Sequence, residues 1–180
     1  NSKDYELMSY GHRNPQGLYY HSDKNIIMNT EHGPKGGDEI NFNFLSTKDD
    51  KNFGWPKASY GKAYPGEEKL FGPDTFKKSH KKLGFIEPHK YYDPSIGISE
   101  LIFMKKNSFC ENNCLWTSSL RANSLYILNI DEEFKELTSN GRIFLEGNRI
   151  RDIDYDKDLE MIILLSENTP AIITIKKIFK

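Results

Sequence analysis

The sequence lacks three features that would assign it quickly to a class. No stretch sustains helical periodicity over three turns, and short strand-like runs separated by turn residues recur instead. The longest apolar runs, LEMIILL and AIITI, are far shorter than a membrane span, so we expect no transmembrane segment. Lys and Arg number 25 against 26 Asp and Glu, and this balance, a formal net charge of -1, predicts no nucleic-acid partner.

Cysteine is scarce, since the chain has only Cys110 and Cys114. A zinc site would need two further ligands that the neighbouring residues do not offer. A short local disulfide and two free thiols both stay open on this evidence. The chain begins at Asn1 rather than at Met, so we interpret it as a processed or truncated product whose start says nothing about targeting.

What the sequence does contain is a recurring layout of short strands. GLYY and IIMN form the first pair, SELIFM, CLWTSS and LYILNI the second group, and RDIDY, LEMIILL and AIITI the third. Each group predicts an antiparallel meander, and their recurrence is typical of propeller blades or a similar radial array. Residues 57–93, rich in Gly, Pro and Lys, form a long loop insertion, and a loop of this length is more often functional than idle.

This layout brings unusual polar segments to one rim. If the first strand of a blade runs down and the second runs up, the residues before the first and after the second share one edge. Those positions hold HRNPQ and EHGPKGGDE, DPSIG and SLR, and GNRIR and SENT. Because polar groups that converge on one face of a β array mark a ligand site, we expect the site there.

The rim would collect four arginines with neutral hydrogen-bonding neighbours. The cations are Arg13, Arg121, Arg149 and Arg151, and the neutral residues are Asn14, Gln16, Ser95 and Asn148. Guanidinium groups match carboxylate or phosphate oxygens bidentately, so the set indicates an anionic ligand. The alternative is that each arginine pairs with a nearby acid, such as Asp152 or Glu146.

The segment EHGPKGGDE suggests a hard cation instead. The carbonyls of Gly33 and Pro34 are unobstructed, and with Asp38 or Glu39 they would suit Ca²⁺ better than zinc or copper. A plain turn explains the same residues without a metal. His12 and His32 are either metal ligands or, as is more common beside a turn, structural hydrogen-bonding residues.

Five motifs in order give the chain a resemblance to a known family. GHRNPQGL, EHGPKGGDEIN, NFGWP, PSIGISEL and NRIRDI resemble those of the soluble PQQ-dependent sugar dehydrogenases, the glucose/sorbosone dehydrogenase family, which includes the aldose sugar dehydrogenases. The resemblance runs from about Tyr10 to the end of the chain. It implies an all-β fold, a six-bladed β-propeller of which residues 1–180 would form the C-terminal half, about three blades.

The resemblance also implies the cofactors and their ligands. PQQ, an ortho-quinone with three carboxylates, would be bound by Arg13, Asn14, Tyr64, Ser95, Arg121, Arg149 and Arg151, with Gln16 in a supporting role. Arg121 stands where the family commonly has lysine. The carbonyls of Gly33 and Pro34 would bind the Ca²⁺ that coordinates PQQ. Glu39 and the carbonyl of Phe53, where the family has tyrosine, would form a second calcium site.

The implied reaction oxidises the C1 hydroxyl of an aldose to a lactone, with hydride transfer to PQQ and an external electron acceptor. Arg13 would be the catalytic residue of this chain, because it would stabilise charge developing on the quinone. The general-base histidine would lie upstream of these residues, so we expect the chain alone to be inactive. The family resemblance further implies a periplasmic or secreted protein.

Two alternatives stay open from the sequence. One is a non-catalytic, calcium-binding propeller module for carbohydrate or protein interaction, because a scaffold can lose its chemistry. The other is a generic propeller segment whose arginines are all paired with acids.

Overall fold

The computed structural model of the chain describes residues 5–47, 51–66, 69, 76, 79–168 and 170–176. Those residues contain eleven strands in three sheets, which confirms the all-β prediction. The chain divides into two compact units, Asn1–Pro15 with Tyr20–Ser95, and Gln16–Tyr19 with Ile96–Lys180. Within the described ranges, no helix is long and apolar enough to cross a membrane.

The first sheet has the order β1-β2-β3-β4. Its strands are β1 (Pro15–His21), β2 (Ile26–Glu31), β3 (Asp38–Phe44) and β4 (Lys90–Tyr92). Strands β2 and β3 are antiparallel and almost wholly buried. The short β4 falls inside the 57–93 segment and pairs with β3, so the end of that segment belongs to the sheet. Residues 67, 68, 70–75, 77 and 78 of the segment lie outside the described residues.

The second sheet has four antiparallel strands in chain order. They are β5 (Ile98–Met104), β6 (Cys114–Ser119), β7 (Ser124–Ile130) and β8 (Leu137–Phe144). The third sheet has the order β11-β10-β9, from β9 (Ile150–Asp156), β10 (Met161–Ser166) and β11 (Ala171–Lys176). Both sheets belong to the second unit.

The core of the second unit lies between these two sheets. Met104, Trp116, Leu125, Ile162 and Leu164 pack there with the cysteines. Cys110 and Cys114 form a disulfide, which resolves the alternatives that the sequence left open. The indole N–H of Trp116 points at Cys110 Sγ, at 3.3 Å. The disulfide therefore secures the β5–β6 connection against the core.

Candidate functional site

The first sheet has an apolar face and a buried polar face. Because side chains alternate along a strand, the pairs Met28↔Phe42 and Thr30↔Ile40 share one face, and the pairs Asn29↔Asn41 and Glu31↔Glu39 share the other. Like charges directly opposite each other in a sheet are destabilising. The repulsion between the two buried glutamates, Glu31 and Glu39, must therefore be offset by hydrogen bonds or by positive charge nearby.

Glu39 is the less compensated of the two glutamates. It is only 7% exposed, and burial, followed by the charge of Glu31, raises its pKa to about 8. Asn41 Nδ2 donates to Glu39 Oε2 at 3.3 Å, and His80 Nε2 lies 3.7 Å from Oε1. Burial lowers the pKa of His80, so this neighbour is a neutral imidazole near neutral pH. Glu39 thus lacks a strong cationic partner among the described residues.

Arg13 lies in the turn before β1, and four contacts hold it. Its backbone N–H donates to Glu31 Oε2 at 2.6 Å, and its guanidinium Nη1 donates to the carbonyls of His32 and Gly33 at 3.2 and 2.8 Å. The guanidinium also lies 5.2 Å from the ring centre of Trp55, a cation–π contact. Its Nε is buried and has no hydrogen-bond partner within the described residues. The side chain is preoriented with one donor unused.

The two carbonyls predicted as calcium ligands face donors of other predicted site residues. Gly33 O accepts from Arg13, and Pro34 O accepts from the hydroxyl of Tyr64 at 3.3 Å. Glycine is required at position 33, because a Cβ there would come within 2.1 Å of the carbonyl oxygen of Gly36. This close backbone approach keeps the loop tight, and both of its carbonyls accept hydrogen bonds from the side chains of predicted site residues.

Four residues predicted from the sequence line one small cavity. Arg13, Gly33, Glu39 and Phe53 surround a space of about 10 Å³, which is room for about one water molecule. The rest of the lining consists of Gly11, Glu31, His32, Gly37, Trp55, Ala58, Ser59 and His80. The cavity is therefore mostly polar and of a size for a single small ligand or ion.

The remaining predicted residues of the first unit are not among those that line this cavity. Ser95 donates its hydroxyl to the buried Asp38 at 2.7 Å, and Asp38 Oδ1 accepts from the backbone N–H of Gly33 at 3.3 Å. Asn14 is exposed, and its carbonyl accepts from His32 N at 3.0 Å. Tyr64 is 47% exposed. Ser95 is thus joined to the Gly33 loop, while the side chains of Asn14 and Tyr64 reach solvent.

The second unit brings Arg149, Arg151 and Gln16 together around Glu167. The arginine Nη2 atoms lie 3.4 and 3.0 Å from Glu167 Oε2, and Arg151 Nη1 lies 3.5 Å from Gln16 Oε1. Hydrogen bonding to Arg151 and the charges of both arginines lower the pKa of Glu167. Both arginine side chains are more than 40% exposed. Two cations therefore share one carboxylate and face solvent.

Arg121 occupies an exposed bend after β6. Its backbone N–H donates to the carbonyl of Ile96 at 3.0 Å, and Gly97 lies so close that a Cβ there would meet Arg121 N at 2.9 Å. The backbone of this position is therefore fixed against the PSIG segment.

The histidines in the matched motifs have structural surroundings. His12 lies between Ser9 Oγ, at 2.9 Å from Nε2, and Glu31 Oε1, at 3.0 Å from Nδ1, and stacks on Phe53. The backbone N–H and C=O of His32 bond to Asn14 and Arg13. In the described part of the chain, no group of three or more His, Cys, Asp or Glu side chains is arranged to hold a metal ion.

Three residues of this region were missed by the sequence analysis. Glu31 and Trp55 stand inside quoted motifs, and an acidic residue ending an apolar strand was the available signal for Glu31. His80 is 1% exposed and lies in the 57–93 segment, which the sequence predicted only as a long loop insertion. Its burial depends on the stacked ring of Tyr60, and the sequence carries no signal for that contact.

Comparison with known proteins identifies one family and several similar proteins. Residues 1–174 match the family described as Glucose / Sorbosone dehydrogenase. The chain is 30% identical over 172 residues to the Aldose sugar dehydrogenase YliI of Escherichia coli (strain K12), which covers 94% of this chain and 43% of that protein. The crystal structure of the soluble aldose sugar dehydrogenase from Escherichia coli in the apo-form superposes with a TM-score of 0.70 at 30% identity, over 89% of this chain and 44% of that one.

A crystal structure of a glucose dehydrogenase is similar to the same extent, with a TM-score of 0.71 at 31% identity, over 89% of this chain and 44% of that one. These neighbours are β-propellers, so the predicted fold class is confirmed. The three sheets of the chain correspond in number to the predicted three blades. The chain spans less than half the length of the relatives that it matches.

Proposed function

Because the chain belongs to the glucose/sorbosone dehydrogenase family, we propose that the protein containing it is a PQQ- and Ca²⁺-dependent sugar dehydrogenase. Its reaction is the oxidation of the C1 hydroxyl of an aldose to the lactone, with an external electron acceptor. Residues 1–180 form the C-terminal part of the propeller, and the 57–93 segment is its long insertion. The chain supplies much of the cofactor site without supplying the general base.

The single observation that carries this proposal is the cavity in the first unit. Gly33, predicted as a ligand of the Ca²⁺ that coordinates PQQ, lines it together with Arg13, the predicted catalytic residue. Glu39 and Phe53, predicted as ligands of a second calcium, line the same cavity. A carboxyl whose pKa burial raises to about 8 favours a nearby divalent cation, which would stabilise its ionised form. Carbonyl and carboxylate oxygens are the ligands that Ca²⁺ prefers. The donor set therefore fits Ca²⁺.

The second unit offers groups that fit the carboxylates of PQQ. Arg149 and Arg151 share one exposed carboxylate, so their combined charge is incompletely neutralised. Arginine forks suit a further carboxylate in this setting. Arg121, Asn14, Tyr64 and Ser95 are the other proposed PQQ contacts, with Gln16 as support for Arg151.

When bound, PQQ would supply a quinone that accepts a hydride, and Ca²⁺ would act on it as a Lewis acid. The contribution of this chain is preorganised electrostatics. The carbonyls of His32 and Gly33 and the ring of Trp55 fix the Arg13 guanidinium before any ligand arrives. A donor fixed in this way needs little reorganisation to stabilise negative charge, and its loss commonly lowers the rate by about 10²-fold to 10³-fold.

The general base is proposed to come from outside this chain. His12 is held by Ser9 and Glu31, His21 Nδ1 accepts the Lys24 N–H at 3.2 Å, and His89 stacks on Phe42. His80 is buried, and its imidazole contacts Glu39 and Glu87. None of these described surroundings presents a histidine as a base for a sugar hydroxyl.

A periplasmic or secreted location is part of the proposal. The Cys110–Cys114 disulfide supports it, because such bonds persist mainly in oxidising compartments. The substrate class is an aldose, and the sugar and acceptor would be selected by loops, of which the 57–93 segment is one.

The test uses the intact protein and two sets of variants in the second unit. We expect Arg149→Ala with Arg151→Ala to abolish PQQ binding in an equilibrium titration and to abolish sugar-dependent dye reduction. Arg142→Ala is the matched control, because this arginine donates to Ser124 Oγ and to the carbonyl of Ala122 rather than to a proposed ligand. Unchanged PQQ affinity in the double variant would overturn the proposal. Calcium binding without PQQ binding would favour a non-catalytic module.

A further inference from the structure

Glu31 is a buried carboxylate that is not one of the proposed PQQ or Ca²⁺ ligands. It ends β2, is 3% exposed and lies opposite Glu39 in the sheet. Its Oε1 accepts from Asn41 Nδ2 at 2.6 Å and contacts His12 Nδ1 at 3.0 Å, and its Oε2 accepts from the backbone N–H of Arg13 at 2.6 Å. One carboxylate thus contacts three groups from two separate parts of the chain, residues 12–13 and Asn41.

These contacts connect a turn to a strand. The turn with Arg13 precedes β1, where the ladder of the sheet does not yet fix the backbone. Asn41 belongs to β3 and uses the same Nδ2 to reach Glu39 Oε2, at 3.3 Å. Buried hydrogen bonds to a charged acceptor are short and strong, and networks of them polarise one another. A displacement of Glu31 would therefore disturb both Arg13 and Glu39.

We propose that Glu31 is a positioning residue that couples the carboxylate of Glu39 to Arg13, so that Ca²⁺ affinity and PQQ affinity depend on each other through it. The identities of the two ligands rest on the proposed function. The coupling between the two protein segments rests only on the contacts of Glu31.

Glu31→Gln is the informative substitution, because it keeps the size of the side chain and removes one acceptor. Three groups cannot all donate to a side chain that now presents an amide N–H₂. Asn41 can turn its Oδ1, which is buried without a partner within the described residues, toward that amide. Its Nδ2 then leaves Glu39. The variant therefore breaks the connection on the Glu39 side.

Glu100→Gln is the matched control in the second unit. Glu100 is also a partly buried carboxylate, and its Oε1 accepts the backbone N–H groups of Leu18 and Leu101 at 3.0 and 2.8 Å. The substitution removes a similar charge and similar hydrogen bonds. It leaves Glu31 and its three contacts intact.

The first experiment is hydrogen–deuterium exchange of the intact protein without ligands. We expect Glu31→Gln to accelerate exchange both in the peptide with Arg13 and in the peptide with Asn41, and Glu100→Gln to change neither. Acceleration in only one of the two peptides, or in neither, would overturn the proposed coupling.

The second experiment is a double-mutant cycle on PQQ affinity in saturating Ca²⁺, so that a change in Ca²⁺ affinity alone does not alter PQQ binding. We expect Glu31→Gln alone to weaken binding about tenfold or more, a common effect of losing the support of a ligand-binding group. Arg13→Ala keeps the backbone N–H but removes the side chain that Glu31 positions, so Glu31→Gln should add little in that background. It should retain its full effect beside Arg149→Ala.

The cycle separates positioning from a general loss of stability. Equal effects of Glu31→Gln in the wild-type and Arg13→Ala backgrounds would contradict the inference. If the wild-type protein bound no PQQ, the proposed function would fail, and the exchange experiment would still decide whether Glu31 couples the two segments.

Discussion

Glu39 and Glu167 show opposite electrostatic conditions in the two units. Glu39 is buried beside a second carboxylate, and its pKa is raised to about 8. Glu167 is exposed beside two guanidiniums, and its pKa is lowered, first by its hydrogen bond to Arg151. The first region has too little positive charge for its carboxylates, and the second has too little negative charge for its arginines. The first is suited to a cation, and the second to an anion.

The two regions also differ in how far the protein builds them in advance. Arg13 is held by carbonyls, a carboxylate and an aromatic ring. Arg149 and Arg151 are held mainly by one carboxylate at the surface. We infer that the first region fixes the position of its arginine, whereas the second contributes mainly electrostatic attraction for an anion. That attraction is modest, because exposed charges are screened by solvent and salt.

The largest expected effect comes from Gly33→Ala. The added Cβ would come within 2.1 Å of a backbone oxygen, a clash that no side-chain movement can relieve. We therefore expect the free energy of unfolding to fall by about 3 kcal/mol and Ca²⁺ binding to be lost. Gly147→Ala is the contrast in the second unit, where φ is +70° and nothing lies within 4 Å, and should cost roughly 1–2 kcal/mol. Denaturant unfolding measures both. Equal costs would contradict the claim that the Gly33 loop is the tighter.

The next effect concerns the disulfide of the second unit. Replacing Cys110 and Cys114 by Ser should lower the free energy of unfolding by about 2 kcal/mol, because the closed loop is short. Calcium affinity should stay unchanged, since the proposed metal ligands belong to the first unit. Thermal unfolding and calcium titration test the two parts. A fall in calcium affinity equal to that of Gly33→Ala would remove the distinction between the regions.

A pH titration of stability sharpens the comparison of the two glutamates. Because the folded pKa of Glu39 is raised from 4.5 to about 8, its contribution to stability is complete below pH 4.5 and is lost as pH rises to about 8. Without calcium, Glu39→Gln should remove a slope of at most about 1.4 kcal/mol per pH unit in this window. Glu167→Gln should leave the window unchanged, because the lowered pKa of Glu167 places its effect at lower pH. Chemical denaturation at several pH values in EGTA tests both, and identical slopes for wild type and Glu39→Gln would contradict the assignment.

The smallest expected effect is that of Arg121→Lys. The side chain is exposed, and the substitution keeps its charge while changing its hydrogen-bond geometry. We expect stability within about 0.5 kcal/mol of wild type and a change in PQQ affinity far smaller than that of the Arg149 and Arg151 double variant. A loss as large as that of the double variant would make Arg121 a main contact.

Much of the strand layout could be predicted from the sequence, because buried runs such as IIMN and LYILNI alternate or stay apolar between turns. The strand Leu137–Phe144 was missed since it is mostly exposed and LTSNGRIF shows no alternation. Strand Lys90–Tyr92 was missed because it has three residues inside an insertion. Edge strands of this kind are defined by their partner rather than by their own sequence.

For the site, motifs identified residues but not their partners. Gly33, Glu39, Phe53 and Arg13 were named from the sequence and line one cavity. The alternative interpretation of the sequence offered Asp152 or Glu146 as an acidic partner for these arginines, and the acid that Arg149 and Arg151 share is Glu167. The pairing of β9 with β10 brings this residue across, as the bond from Glu167 N to Arg149 O shows. Such contacts depend on register, which the sequence alone does not specify.

The most direct test of the account is equilibrium dialysis of the intact protein against PQQ, with calcium and with EGTA. We predict saturable binding of one PQQ per chain in calcium, loss of that binding in EGTA, and markedly weaker binding in Glu39→Gln or Arg13→Ala even when calcium is present. Absence of PQQ binding in calcium, or binding that is unaffected by EGTA and by both substitutions, would contradict the proposed dependence on PQQ and Ca²⁺.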